Sequence, residues 1–254
     1  MTGIKIRNLS KTFMLRNRAI PVFEGIDLNI EKESFTTIIG KSGCGKTTLL
    51  RILCGLEEKT GGEVSYMENG SKSDKCLKIS IVFQEPRLMP WLTVKQNMAF
   101  SLECEKDKIK VEEIVNRYLK ILDLEEFQDA YPSQISGGMA QRTALGRTLC
   151  YEPDVILMDE PLGALDAYNR RILQDELIHI FKTCKKTIVF VTHDIDEALY
   201  MGQRLVVIDK GKILDVIVIG ENYPRDIYSA KFARLREKTM NSIMASKDSI
   251  AVAL

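Results

Sequence analysis

No apolar run here approaches the roughly 20 residues that a membrane span needs. Runs such as Val155–Met158 and Val216–Ile219 are far too short, and Met1–Leu9 alternates polar with apolar residues. That opening lacks the apolar core of a signal peptide, so the chain is expected to stay in the cytosol. An excess of one charge is also missing. The 36 Lys and Arg stand against 35 Asp and Glu, net +1. This removes the global electrostatic case for a nucleic-acid partner or an anionic membrane. Six cysteines (Cys44, Cys54, Cys76, Cys104, Cys150, Cys184) include no CxxC pair. Zinc and dithiol signatures are absent, and free thiols in a reducing compartment are expected. There is no internal repeat and no Pro- or Ser-rich linker. With 254 residues, 45% apolar and 28% charged, the chain reads as one globular domain, or one domain with an inserted subdomain.

What is there alternates. Ile4, Ile6 and Leu9 are spaced for a sheet edge, and Ile26, Leu28 and Ile30 alternate as a strand does. Phe35–Ile39 is a β-branched run that stops at Gly40. A glycine-rich loop, Gly40–Gly45, leads into a helical pattern with Leu49, Leu50, Ile52 and Leu53, and Gly55 is placed to end it. Lys59–Lys78 is polar and turn-rich, with Gly61-Gly62 and Asn69-Gly70, and fits a β-hairpin excursion. Ile79–Phe83 reads as a strand and Thr93–Tyr131 as mostly helical. Ser136 is placed to cap a helix running to about Cys150. Strand Val155–Met158, helix Tyr168–Lys182, strand Thr187–Thr192, helix Ile195–Met201 and strands Arg204–Asp209 and Lys212–Ile219 follow. The pattern predicts an α/β core carrying a helical insertion, with a partly helical tail from Glu221.

Gly40-Lys41-Ser42-Gly43-Cys44-Gly45-Lys46-Thr47 fits GxxxxGK[ST]. Glycines let backbone N–H groups approach phosphate oxygens, and the helix start adds its positive dipole end. Lys46 is suited to the β- and γ-phosphates, and the Thr47 hydroxyl to Mg²⁺. A chance match in a chain of this composition arises roughly one time in 100, and the strand–loop–helix placement makes it rarer. Val155–Met158 runs into Asp159 and Glu160. Buried strands often end in acids, but ligands of open α/β folds bind at the carboxyl edge of the sheet. There Asp159 is suited to the Mg²⁺ shell and Glu160 to polarising water as general base. Ser136-Gly137-Gly138 at a helix start is a second candidate anion site; an ordinary Ser cap with a flexible Gly pair makes the same string. His193 follows Thr187–Thr192 and is suited to a γ-phosphate, and Gln84 follows Ile79–Phe83 and is suited to donating an oxygen near Mg²⁺. Structural roles remain the alternative for both, and His179 lies inside a helical pattern.

Taken together these motifs resemble the ATP-binding subunit of ABC transporters, from Ile4 to about Gly220. Gly40–Thr47 looks like Walker A, Gln84 like the Q-loop, Ser136–Gln141 like the signature and Val155–Glu160 like Walker B. Leu162–Asp166 looks like the D-loop and His193 like the switch histidine. Phe13, closing Leu9-Ser10-Lys11-Thr12-Phe13, matches the aromatic that stacks on adenine. The resemblance implies a P-loop NTPase core of the ABC-ATPase type, α/β, with an N-terminal antiparallel β part and an inserted helical subdomain. It implies one ABC ATPase domain over 1–254, an insertion at 91–144 carrying the signature, and a tail at 221–254. ATP would contact Phe13, Lys41, Ser42, Gly43, Cys44, Gly45, Lys46, Thr47, Thr48 and Gln84. Ser136, Gly137, Gly138 and Asp166 would contact it as well. Thr47, Gln84 and Asp159 would face Mg²⁺, with Glu160, His193 and Lys46 catalytic. Two chains would sandwich two ATP molecules, Walker A of one against the signature of the other. Integral membrane permease subunits and a separate solute-binding protein would complete an importer on the inner face of the cell membrane.

A narrower resemblance, to importer ATPases for nitrate, sulfonate, taurine and bicarbonate, rests on Phe83–Val94, on Met139 and on Pro224-Arg225-Asp226. It implies a small anionic solute. Departures are Ile135 for the usual Leu, Ala140 for Arg or Gln, Gly146 and Thr148 for small alanines, Lys41 in the loop, and Phe13 without the hydroxyl of a Tyr. Gly146 inside a helix costs about 1 kcal/mol relative to Ala. A soluble ABC-type ATPase without transport is the rival reading, yet no sustained heptads separate Lys46 from Ser136. A P-loop kinase or GTPase gives Ser136–Met139 no role. Trp91, the only tryptophan, has two readings: an exposed anchor for a membrane partner, or a core anchor of the insertion.

Overall fold

A computed structural model describes residues 3–16, 18–68, 71–72, 77–163 and 165–251. The alternating N-terminal residues build an antiparallel pair, β1 (Gly3–Leu15) and β2 (Arg18–Glu31), in register from Gly3↔Glu31 to Leu15↔Arg18. The three-residue step from Ile6 to Leu9 is a register shift, and Asn8 takes a positive φ there. That extra residue returns Leu9 to the buried face beside Ile4 and Ile6. β1 is not an edge strand, as its spacing had suggested. After β3 (Phe35–Ile39) and α1 (Lys46–Leu53), β4 (Gly61–Glu68) pairs on its other side. The sheet runs β2-β1-β4-β5, where β5 is Ser71–Lys72. β4 and β5 form the expected hairpin, while the Asn69-Gly70 turn lies outside the described residues.

The helical block follows β6 (Ile79–Val82). α2 (Val94–Ala99) starts at a Thr93/Gln96 capping box, α3 (Lys108–Ile121) at an Asp107 cap, and α4 (Gly137–Cys150) at Ser136. Asn97 is fully buried, and its amide group donates to the carbonyls of Met89, Leu92 and Thr93 while accepting from Met89 N–H. Residues 89–93 are thereby fastened to α2. A Cβ on Gly146 would lie 2.5 Å from Met98 Cε and 3.0 Å from Leu122 Cδ1. The glycine therefore exchanges helix propensity for a close approach of α4 to α2. Residue 144, where the insertion was expected to end, falls inside α4.

The second sheet is completed by β7 (Val155–Asp159), α5 (Ala167–Cys184), β8 (Thr187–Thr192), α6 (Ile195–Met201), β9 (Arg204–Asp209) and β10 (Lys212–Val218). Its order is β10-β9-β3-β8-β7-β6, parallel except for β10. Every residue of β3 and β8 is buried, as expected of parallel strands covered on both faces. One core cluster, containing Phe35, Phe181 and Phe190, joins this sheet to the helical block and α5. A second, containing Leu9, Phe23 and Leu49, joins it to the antiparallel sheet and α1.

The tail is held at the end of α6. Arg225, buried, donates to the carbonyls of Leu199, Tyr200 and Gly202, and the Tyr223 hydroxyl donates to Met201 O. Lone carbonyls at a helix C-terminus are what a cation satisfies best. α7 (Ala230–Ala251) then packs Phe232 against Ala198 and Leu199. Among the described residues no helix is long and apolar enough to cross a membrane.

α4 and α5 are tied by Arg142 and Glu176, 2.9 Å apart. Burial pushes the Glu176 carboxyl up to about 7, against the pull of Arg142 and with help from Asp123. The folded chain therefore holds a proton that the unfolded chain has released, and this contribution to stability is lost as pH rises from about 4.5 to about 7. Glu176→Gln should remove ~2 kcal/mol of that pH-dependent loss. Urea unfolding of both proteins from about pH 5 to about pH 8 measures it, and parallel stability curves would reject the assignment.

Candidate active site

β3 delivers the chain to Gly40, and the loop to Gly45 turns it into α1 with φ of +77° at Gly43 and +105° at Gly45. A Cβ on Gly45 would come within 2.7 Å of the Phe23 ring and 2.8 Å of Val22. Only glycine fits there, because both φ and space forbid a side chain. The loop encloses a concavity of about 190 Å³ closed by Val22, Thr48 and Glu160. Ser42, Gly43, Gly45, Lys46 and Thr47 line it, while the buried Cys44 side chain packs into the core, where desolvation pushes its thiol up. Lys46 Nζ donates to Gly40 O at 2.8 Å and Lys41 O at 3.1 Å, and it lies 4.0 Å from Glu160. Lys41 lies outside that lining, its ammonium 3.5 Å from Asp209 on β9.

Parallel pairing sets the acids opposite this loop. Thr47 Oγ1 donates to Asp159 Oδ1 at 3.1 Å. Burial raises the Asp159 carboxyl above the usual range; the Thr47 bond opposes this and Glu160 adds to it. Two hard oxygens side by side, from a hydroxyl and a carboxylate, are the donor chemistry Mg²⁺ takes, with phosphate oxygens and water completing its shell. Glu160 breaks from β7 with a φ of +46°, while its N–H donates to Val191 O at 3.0 Å. A side chain in this region costs about 1 kcal/mol or more, and such strain concentrates at functional sites. The turn aims Oε2 at His193 Nδ1, 2.9 Å away. With the carboxylate ionised, Nδ1 carries the proton and donates, which leaves Nε2 as an acceptor. Gln84, just past β6, lies against the turn after Glu160: its Nε2 is 3.3 Å from where a Cβ on Gly163 would sit.

Ser136, Gly138 and Asp166 gather elsewhere. Ser136 Oγ accepts from Met139 N–H at 3.3 Å, and Gly137 has open space around it. Gly138 faces Leu165. Asp166 caps α5 through the N–H groups of Tyr168 and Asn169, and the Asn169 bond chiefly holds its carboxyl low. A small cavity of about 40 Å³ sits between these two helix starts and shares no lining residue with the loop concavity. Phe13 stands apart as well, 38% exposed, with Lys11 Nζ over one ring face at 4.4 Å. Lys11 is fixed there by Glu57 Oε1 at 2.6 Å and Glu58 O at 2.7 Å. Lys11 and Val22 are neighbours of the site that sequence reasoning missed, because nothing local marks either.

A family model described as ABC transporter matches residues 23–163, more than half of the chain. The chain belongs to the ABC transporter ATP-binding family. An aliphatic sulfonates import ATP-binding protein of Bacillus cereus is 44% identical over 240 residues, 93% of this chain and 94% of that one. Its Bacillus subtilis counterpart is 40% identical over 249 residues, 97% and 96% of the two chains. An uncharacterized ABC transporter ATP-binding protein of Methanocaldococcus jannaschii is 43% identical over 241 residues, 94% of this chain and 90% of that one. Among solved structures, a dimeric post-hydrolysis state of the ATP-binding cassette MJ0796 bound to ADP and Pi superposes with a TM-score of 0.75 at 30% identity. It covers 86% of this chain and 100% of that one. As a member of this ABC family the protein binds ATP and is an ATPase, and the P-loop core with its antiparallel sheet is the fold the sequence implied.

Gly45→Ala should distort the loop, costing on the order of 1–3 kcal/mol and removing most ATP affinity. Thermal melting beside titration with a fluorescent ATP analogue measures both. Unchanged affinity would show that the cradle does not depend on this glycine.

Proposed function

We propose that this ATPase powers an importer for a small anionic solute of the sulfonate type. The observation that carries the reading is the near end-to-end likeness to sulfonate import subunits. Two chains would close on two ATP molecules, with the P-loop of each facing Ser136–Gly138 of the other. Three features support this: the signature residues lie outside the chain's own phosphate concavity, Ser136 and Gly137 are exposed, and a similar cassette is dimeric. Permease subunits would hold the dimer at the inner face of the cell membrane, and a separate binding protein would deliver solute.

Within each site the roles follow from geometry. Backbone N–H groups of residues 42–47 would bind the phosphates, and Lys46 would leave its two loop carbonyls for the β- and γ-oxygens. Thr47 and Asp159 would hold Mg²⁺, which supplies charge neutralisation on the phosphates. Glu160 would accept a proton from the attacking water, and His193, donating through Nδ1, would keep that carboxylate aimed. On the protonated ring, His193 Nε2 would also carry a proton and would donate it to the γ-phosphate. Phe13 would offer adenine the ring face that Lys11 does not cover.

Glu160→Gln keeps the shape of the side chain but not its basicity, so ATP binding should persist and turnover should fall by about 100-fold or more. The ATP-bound dimer should accumulate, read by gel filtration with ATP and Mg²⁺. Turnover like that of the parent protein would remove Glu160 as the base.

The permease contact is proposed for residues 85–94 and the helical insertion, 91–144. Trp91 is 70% exposed, while the loop that carries it is fastened by buried Asn97. A solvent-facing tryptophan on a fastened loop favours the docking reading over the core anchor, and over a soluble ATPase without membrane partners. Trp91→Ala should leave the melting temperature within a degree or two, but weaken assembly with the permease by roughly 2 kcal/mol. Pull-down from membranes beside a melting curve separates these. A large fall in melting temperature would return Trp91 to the core.

A further inference from the structure

Arg147 lies half-buried on α4, and among the described residues it has no carboxylate partner. Its Nη1 donates to Arg87 O and its Nη2 to Pro86 O, each at 3.0 Å. A guanidinium whose two arms both end on backbone carbonyls is holding a loop. That loop is the one after Gln84. On the other side of Gln84, Phe83 O accepts from Nε2 of Gln141, a buried residue of the same helix, at 3.3 Å. One helix therefore grips the chain immediately before Gln84 and two residues after it. The gripped segment is not relaxed. Arg87 has a φ of +48°, and its own guanidinium lies 4.2 Å from the Phe83 ring centroid. Between the two grips Gln84 is exposed and lies against the turn that follows Glu160. α4 itself starts at Ser136 and is locked to α2 where Gly146 meets Met98.

We infer that Arg147 is a positioning residue for ATP hydrolysis: it pins the Pro86–Arg87 backbone so that Gln84 faces the acids, and so that Gln84 follows α4 when α4 moves. The inference rests on the reading of Gln84 as a residue of the hydrolytic site. Arg147 does not line the phosphate concavity, so its loss should act through Gln84. A rotation of the helical block relative to the sheet would reach Gln84 through these three hydrogen bonds, because no other part of α4 holds this segment by side-chain bonds among the described residues.

The experiment is a double-mutant cycle on the isolated full chain, with steady-state hydrolysis at saturating ATP and Mg²⁺, affinity for a non-hydrolysable ATP analogue, and melting temperature. Arg147→Ala should lower kcat about tenfold or more, with affinity changed less than about threefold and melting nearly unchanged. Arg147→Lys keeps the charge but loses the planar fork whose two arms end on separate carbonyls here, so it should be nearly as slow. Arg147→Ala combined with Gln84→Ala should be no slower than Gln84→Ala alone, because both remove one function. A residue needed only for folding would instead lower melting, affinity and kcat together, and its losses would multiply with those of Gln84→Ala. That outcome, or Arg147→Ala turning over within twofold of the parent while Gln84→Ala is slow, overturns the inference. Gln84→Ala turning over normally overturns the reading of Gln84 itself, and this inference with it. Should Arg147→Ala fail to fold, Arg147→Lys takes its place in the cycle.

Discussion

Parallel pairing of β3, β8, β7 and β6 is the constraint on which everything at the site depends. Ile39 pairs with Thr192, Asp159 with Val191, and Val82 with Met158. Those pairings end four strands at one edge, where Gly40, His193 and Glu160 follow directly and Gln84 follows one residue later, after Phe83. A shift of one strand by one residue would reverse the side-chain directions along it. The Glu160–His193 and Thr47–Asp159 contacts would then be lost together. Burial on both faces of β3 and β8 is what makes such a shift costly. The apolar core therefore fixes the geometry of the candidate site as well as the stability.

Polar side chains fasten the remaining parts to this sheet, each at a point where backbone groups lack partners. Asn97 satisfies the loop that carries Trp91, Arg147 the loop after Gln84, and Arg225 the carbonyl end of α6. Burying such groups is costly unless their hydrogen bonds are made. Each one that is made selects a single arrangement of its loop. The strain at Glu160 and Arg87 persists because bonds from neighbouring strands and helices hold those turns in place.

The site is also divided within one chain. The phosphate loop and Glu160 share one concavity, while the first turn of α4 and the start of α5 share another. α4 lines the second through its N-terminal turn, and its Gln141 and Arg147 hold the segment around Gln84. A helix bonded at two places to one loop is a physical means of keeping that loop in step with the helix's N-terminal turn.

The sequence by itself determined the order of the elements, the phosphate loop, the two acids, the capping role of Ser136, and the family. Each of these is written in neighbouring residues: glycine spacing, an apolar run ending in acids, a hydroxyl before a helix. Gly146 looked like a departure until Met98 was seen against it. The tertiary structure alone decided that β1 is an interior strand, that Lys41 turns to Asp209, that Trp91 faces solvent, and that Lys11 covers one face of Phe13. It also revealed the holds made by Asn97, Arg147 and Arg225. In most of these cases the partner is distant in sequence, and for Arg147, 60 residues away, no local pattern records which backbone carbonyl a long side chain will reach. Only the packing of sheet against helices brings the two together.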